Sequence, residues 1–125
     1  MTLAEISKII EAEVITGKER LDTEVKIGCA SDLMSDVLAF AKPDAILITG
    51  LATQQVIYTA DVADINAICF IRGKQPDPQT VKLAAKKDMT LMATHLPMFV
   101  SCGRLFAGGL RGLGYLDINL KDGQR

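Results

Sequence analysis

A chain of 125 residues has the length of one domain with a single core, long enough to bury about two thirds of the surface its unfolded form would expose. Hydrophobic residues make up 49% and charged residues 23%, which excludes a disordered chain. The formal net charge is −1, with Lys and Arg interspersed among Asp and Glu, so there is no basic face for nucleic acid to bind.

The opening stretch TLAEISKIIEAE carries Leu3, Ile6, Ile9 and Ile10 at helical spacing, and Thr2 with Glu5 forms a capping box. Its early acids, with no basic segment leading into a long apolar run, exclude a secretory signal and a membrane span and point to the cytoplasm. EVITG reads as a short strand or turn, and EVKIGCA as a strand. SDLMSDVLAFAKPD follows as a helix capped by Ser31 or Asp32, with Leu33, Met34, Val37, Leu38 and Ala41 on one face and Pro43 as its stop.

The pattern then repeats. AILIT is an apolar run of strand length, and TQQVIYTADVAD a helix with Val56, Ile57 and Ala60 inward. AICFI is a second such strand, followed by the polar loop RGKQPDP and the exposed helix PQTVKLAAKKD, with Val81, Ala84 and Ala85 as its narrow apolar side. TLMAT is a third, and PMFVSCGRLF a helix with Pro97 in its first turn and Phe99, Cys102, Leu105 and Phe106 together.

Strands apolar on both faces, alternating with helices of about three turns, predict an α/β fold: a Rossmann-like three-layer sandwich, its central sheet mostly parallel and covered by helices on both faces. This domain is read over residues 1 to 110. Residues 111 to 125 form a Gly-rich tail in which YLDINL alternates, as an edge strand, a subunit contact or a frayed end.

Ligands of parallel α/β sheets bind beyond the carboxyl ends of the strands. The strand assignments place there Ser31 and Asp32, then Thr49, Gly50, Thr53 and Gln54, then Arg72, Gly73 and Lys74, and finally Thr94 and His95. Hydroxyls, helix-start amides and two cations in that position suit a small anion or a nucleotide phosphate. Each also has a structural reading: Ser31, Asp32 and Thr53 as caps, Gly50 and Gly73 as relief of turn strain, Arg72 and Lys74 as solvated charges, His95 as a surface group.

Enzymatic signatures are missing from the sequence. Gly17-Lys18 and Gly73-Lys74 lack the upstream glycine of a P-loop, no GxGxxG or GxSxG occurs, and one histidine cannot build a histidine-rich metal site. Cys29, Cys69 and Cys102 are widely spaced among apolar neighbours and read as reduced cysteines, with no metal or cofactor expected. An enzyme using Asp32 and His95 for acid-base work is the minor alternative.

From about Leu3 to Leu110 the chain resembles the DRTGG domain, most recognisably in SDLMSDVLAFAKPDAILITG, QQVIYTADVADINAICFI and LMATHLPMFVSCGRLF. This family of small α/β modules occurs alone or attached to phosphotransacetylases and some CBS-containing pyrophosphatases, and is similar in fold to the N-terminal domain of HPr kinase/phosphorylase. Of its two name-giving motifs, the Asp-Arg position falls on Ala52 and Thr53, and the Thr-Gly-Gly position on IRGK, where Arg72 and Lys74 flank Gly73. The resemblance implies a stand-alone regulatory or accessory module without catalysis of its own, commonly a homodimer. The expectation is therefore a dimer that binds a small anionic metabolite or nucleotide at the strand ends, or one that docks on a partner enzyme with no small ligand.

Overall fold

The computed structural model describes residues 1 to 112, so the stretch YLDINL lies outside the described residues. The order is α1 (Leu3–Ile9), β1 (Glu13–Thr16), a single 3-10 turn, β2 (Ile27–Ala30), α2 (Met34–Phe40), β3 (Ala45–Thr49), α3 (Gln54–Val62), β4 (Ala67–Phe70), α4 (Pro78–Lys86), β5 (Thr90–Ala93), α5 (Met98–Ala107) and β6 (Arg111–Gly112). The sheet runs β1-β5-β4-β3-β2-β6, parallel throughout except for β1, which pairs antiparallel with β5. This is the expected α/β sandwich with a mostly parallel sheet.

The uninterrupted apolar runs follow from burial on both sides of the sheet. Along β3, Leu47 faces one core with α2, α3 and α4, while Ile46 and Ile48 face the other with α1 and α5; Ile68 and Phe70 alternate with Cys69 and Ile71 along β4 in the same way. All five residues of β3 are buried.

Helix ends reuse one device. After α1, α3, α4 and α5 the chain takes a left-handed residue, Glu11, Asp64, Asp88 and Gly109. The amide two residues beyond each cap then bonds back into its helix: Ala12 to Ser7, Ile65 to Ala60, Met89 to Ala84 and Leu110 to Leu105. These closures turn the chain sharply enough to feed β1, β4, β5 and β6. At the other end of α1, Thr2 and Glu5 form the capping box read from the sequence.

Three helix faces differ from expectation. On α2, Met34 and Val37 are buried but Leu33 and Leu38 are exposed, because the helix lies beside α3 and meets the sheet along one narrow edge. On α4 the inward residues are Thr80, Leu83 and Ala84, with Ala85 exposed. On α5 the core takes Leu105 and the small Ser101, while Phe99 is 89% exposed and Phe106 52% exposed. The group Phe99, Cys102, Leu105 and Phe106 is thus split, its two rings outward and Leu105 inward, because close approach to the sheet selects the stripe holding Ser101.

Candidate functional site

The sheet order lines up the carboxyl ends of β5, β4, β3 and β2 as one polar rim, and every sequence-predicted site residue lies on it. The rim divides into two halves of opposite character.

At the β2 and β3 half the polar groups satisfy one another. Asp32 does not cap α2, which begins at Met34 after Leu33; its Oδ1 instead accepts from Thr49 Oγ1 at 2.9 Å and from the Gly50 amide at 2.7 Å. Thr49 Oγ1 in turn accepts from the Leu51 amide at 3.1 Å. Ser31 closes its own turn, with Oγ accepting from the Leu33 amide at 3.0 Å. The Gly50 amide stands where this architecture offers an N–H to a phosphate, and here a carboxylate of the protein occupies it. Gly50 relieves no backbone strain, since it is not among the residues at positive φ; a Cβ there would meet the Asp32 oxygens at 3.6 Å.

Thr53 takes the cap position of α3 without a side-chain cap bond, and Gln54 Nε2 donates to Gln79 Oε1 at 3.4 Å, linking the starts of α3 and α4. At α4 the cap is Asp77, a residue the sequence reading passed over although its position just before Pro78 is a helix-start signal. Its carboxylate accepts from the Thr80 amide at 2.8 Å, and that hydrogen bond holds its pKa below the ordinary value.

At the β4 and β5 half the backbone is fixed while the charged side chains point outward. Arg72 at φ 52° and Gly73 at φ 70° form a left-handed turn, tied by the Arg72 amide to Leu96 O at 3.0 Å and the Gly73 amide to Thr94 O at 2.9 Å. Thr94 is buried, its Oγ1 donating to Ile10 O at 2.6 Å and accepting from the Leu96 amide at 3.2 Å, so it is a structural brace rather than a ligand group. Arg72, Lys74 and His95 are exposed and make no side-chain hydrogen bond or ion pair among the described residues. Beside His95 lies a hollow of about 200 Å³ that also takes in Glu11 and Glu13, two carboxylates absent from the sequence-based set because they enter through the antiparallel strand β1.

No three His, Cys, Asp or Glu side chains among the described residues are arranged to hold a metal ion. The thiols are quiet: burial pushes Cys69 up to about 12 and raises Cys102, and Cys29 is raised by burial and by the nearby Asp36. No helix among the described residues is long and apolar enough to cross a membrane.

A second feature lies away from the rim. Between α5 and the outer edge of the sheet is an apolar cavity of about 220 Å³, lined by Gly28, Ile48, Cys102, Leu105, Phe106 and Leu110 among others. No local pattern announces it, since it depends on β2 and α5 being neighbours.

Compared with known families, residues 5 to 105 match the DRTGG domain. The chain belongs to the DRTGG domain family. No curated protein matches it. Among solved structures, the CBS and DRTGG domains of the regulatory region of Clostridium perfringens pyrophosphatase, complexed with the activator diadenosine tetraphosphate, match with a TM-score of 0.63 at 18% identity, over 81% of this chain and 44% of that one. The present DRTGG chain thus spans less than half of that regulatory region, and the likeness at this identity is one of fold. Within the family frame, the turn after β4 keeps Gly73 in the left-handed conformation, whereas the turn after β3 is closed over by Asp32.

Proposed function

We propose that this DRTGG protein is a non-catalytic regulatory module that works by association, with a second copy of itself and with a partner enzyme. The observation that carries this reading is that helices of both layers turn large apolar side chains outward: Phe40 is 64% exposed, Val62 77% and Phe99 89%. Helices of a monomer ordinarily turn charged or polar residues outward, and apolar side chains of this size gathered on them mark contact surfaces. Sedimentation equilibrium of the whole protein over rising concentration tests the reading. A mass that climbs from one chain toward two supports it; a single-chain mass throughout removes self-association.

A second reading, a small anionic metabolite or nucleotide bound at the strand ends, is favoured by one specific observation: Arg72 and Lys74 make no ion pair among the described residues and stand on a turn tied by backbone hydrogen bonds. The β2 and β3 half, filled by Asp32, and the acidic hollow with Glu11 and Glu13 both oppose an anion, so such a ligand would sit on the β4 turn alone. A thermal-shift screen against nucleotides, acyl phosphates and simple anions separates the readings. A ligand at a hundred times its dissociation constant adds roughly 2.7 kcal/mol, and a shift removed by Arg72→Ala would transfer the weight to ligand sensing.

A further inference from the structure

We infer that two copies join at the sheet edge formed by β2 and β6, where the stretch YLDINL of one copy pairs antiparallel with YLDINL of the other and carries the sheet from one copy into the next. This rests on the association reading above and names its surface. β2 pairs with β3 over Ile27 to Ala30 but with β6 over Ile27 and Gly28 alone, so among the described residues its outer side is only half covered. The same register carried on sets Leu113 and Gly114 beside Cys29 and Ala30, where β2 ends. YLDINL therefore starts where its own sheet has no strand left to offer, yet its alternation of Leu116, Ile118 and Leu120 with polar neighbours is that of a strand. An identical segment run antiparallel supplies the partner, which is the isologous arrangement of a two-fold dimer.

Three observations fit a second copy at this edge. Both helices that flank it turn a ring outward: on one face of the sheet Phe40, 64% exposed, lines a hollow against Cys29 and Ala30, and on the other Phe99, 89% exposed, stands one turn from Cys102 beside the same strand. A two-fold axis perpendicular to the sheet sets α2 beside α2 and α5 beside α5, so one pairing covers both rings; Phe106 is not needed, since Arg111 already lies over its ring at 4.4 Å. The opposite edge is blunted, because β1 carries a bulge between Val14 and Thr16 and an exposed Glu13, so the pairing closes as a dimer and does not grow into a filament. A Phe ring carries roughly 150 to 250 Å², so the exposed parts of four rings supply on the order of 600 Å². That is about half of the roughly 1,200 Å² at which specific interfaces begin, and the strand pair between the rings supplies the rest.

Light scattering of the full chain across a concentration series tests this. The wild type is expected to move from 13.5 kDa toward twice that mass, and Ile118→Pro to remain a single chain over the same range with an unchanged circular dichroism spectrum, because proline removes a ladder N–H from the middle of the pairing strand. Phe40→Asp and Phe99→Asp, on opposite faces of the sheet, are each expected to weaken dimerisation by about tenfold or more. Val62→Asp is expected to dimerise as the wild type does, since α2 stands between α3 and this edge. Hydrogen exchange gives a second readout on the unaltered chain: the amides of residues 115 to 120 should exchange slowly at high concentration and fast on dilution. A dimer that survives Ile118→Pro, or amides 115 to 120 that exchange fast in the dimer, would overturn the edge pairing while leaving association intact. Slow exchange in a wild type that is monomeric at every concentration would mean that the segment lies on its own chain, and would overturn both readings, as would a monomer whose segment exchanges fast.

Discussion

The carboxyl-end rim of the sheet and the outer face of α5 exchange the roles these regions usually have in an α/β protein. On the rim, where ligands are normally received, Asp32 binds Thr49 and Gly50 while Thr94 binds Ile10 and Leu96, so much of the polar capacity is engaged within the chain. On α5, where water is normally faced by polar groups, Phe99 extends 89% exposed. A site position in a fold is thus only an opportunity. Whether it binds depends on whether the chain's own side chains already fill it.

Removing the rim's buried braces should cost the most stability. Thr94→Val leaves Ile10 O and the Leu96 amide without their buried partner and is expected to cost about 2 to 4 kcal/mol, read as a lowered urea midpoint at unchanged slope. Asp32→Ala is expected to cost about 1 kcal/mol, because its carboxylate is exposed. The same change frees the Gly50 amide, so the variant should gain weak sulfate or phosphate binding by titration calorimetry that the wild type lacks. Equal anion affinity in both would break the account of Asp32 as an internal occupant.

Acid titration probes the neighbouring cap. The Asp77 pKa is depressed by its hydrogen bond from Thr80, so its contribution is fully present above the unfolded carboxylate range near pH 4 and is lost as pH falls through the folded value. Asp77→Ala should therefore unfold at lower temperature than the wild type at neutral pH, and the gap should narrow below about pH 4. The smallest effect is expected on the other side of the comparison: Phe99→Ser should leave monomer stability within about 0.5 kcal/mol, since the ring contacts so little of its own chain.

Much of the fold was legible because double-sided burial writes itself as uninterrupted apolar runs: AILIT, AICFI and TLMAT became β3, β4 and β5 to within a residue. The capping box at Thr2 was equally readable, being local in sequence. What escaped was whatever depends on non-local neighbours. Asp32 reads as a cap because nothing in SDLM reveals that Thr49 and Gly50 lie alongside, and the inward place of Ser101 has no local signal because only the closeness of α5 to the sheet makes a small residue necessary there. Glu11 and Glu13 joined the rim through the antiparallel placement of β1, which a short EVIT segment does not announce. The eleven residues read as strand-end positions do lie along the rim, yet their partition into a self-bonded half and an outward half required the coordinates.

Cys102 offers the most direct test of α5 as a contact surface, because it is half-buried on that helix, one turn from the outward Phe99. Its alkylation rate in the native protein should fall as protein concentration rises, remain constant for Phe99→Asp, and leave the deeply buried Cys69 unlabelled throughout. A Cys102 rate that is the same at every concentration in the wild type would contradict the account.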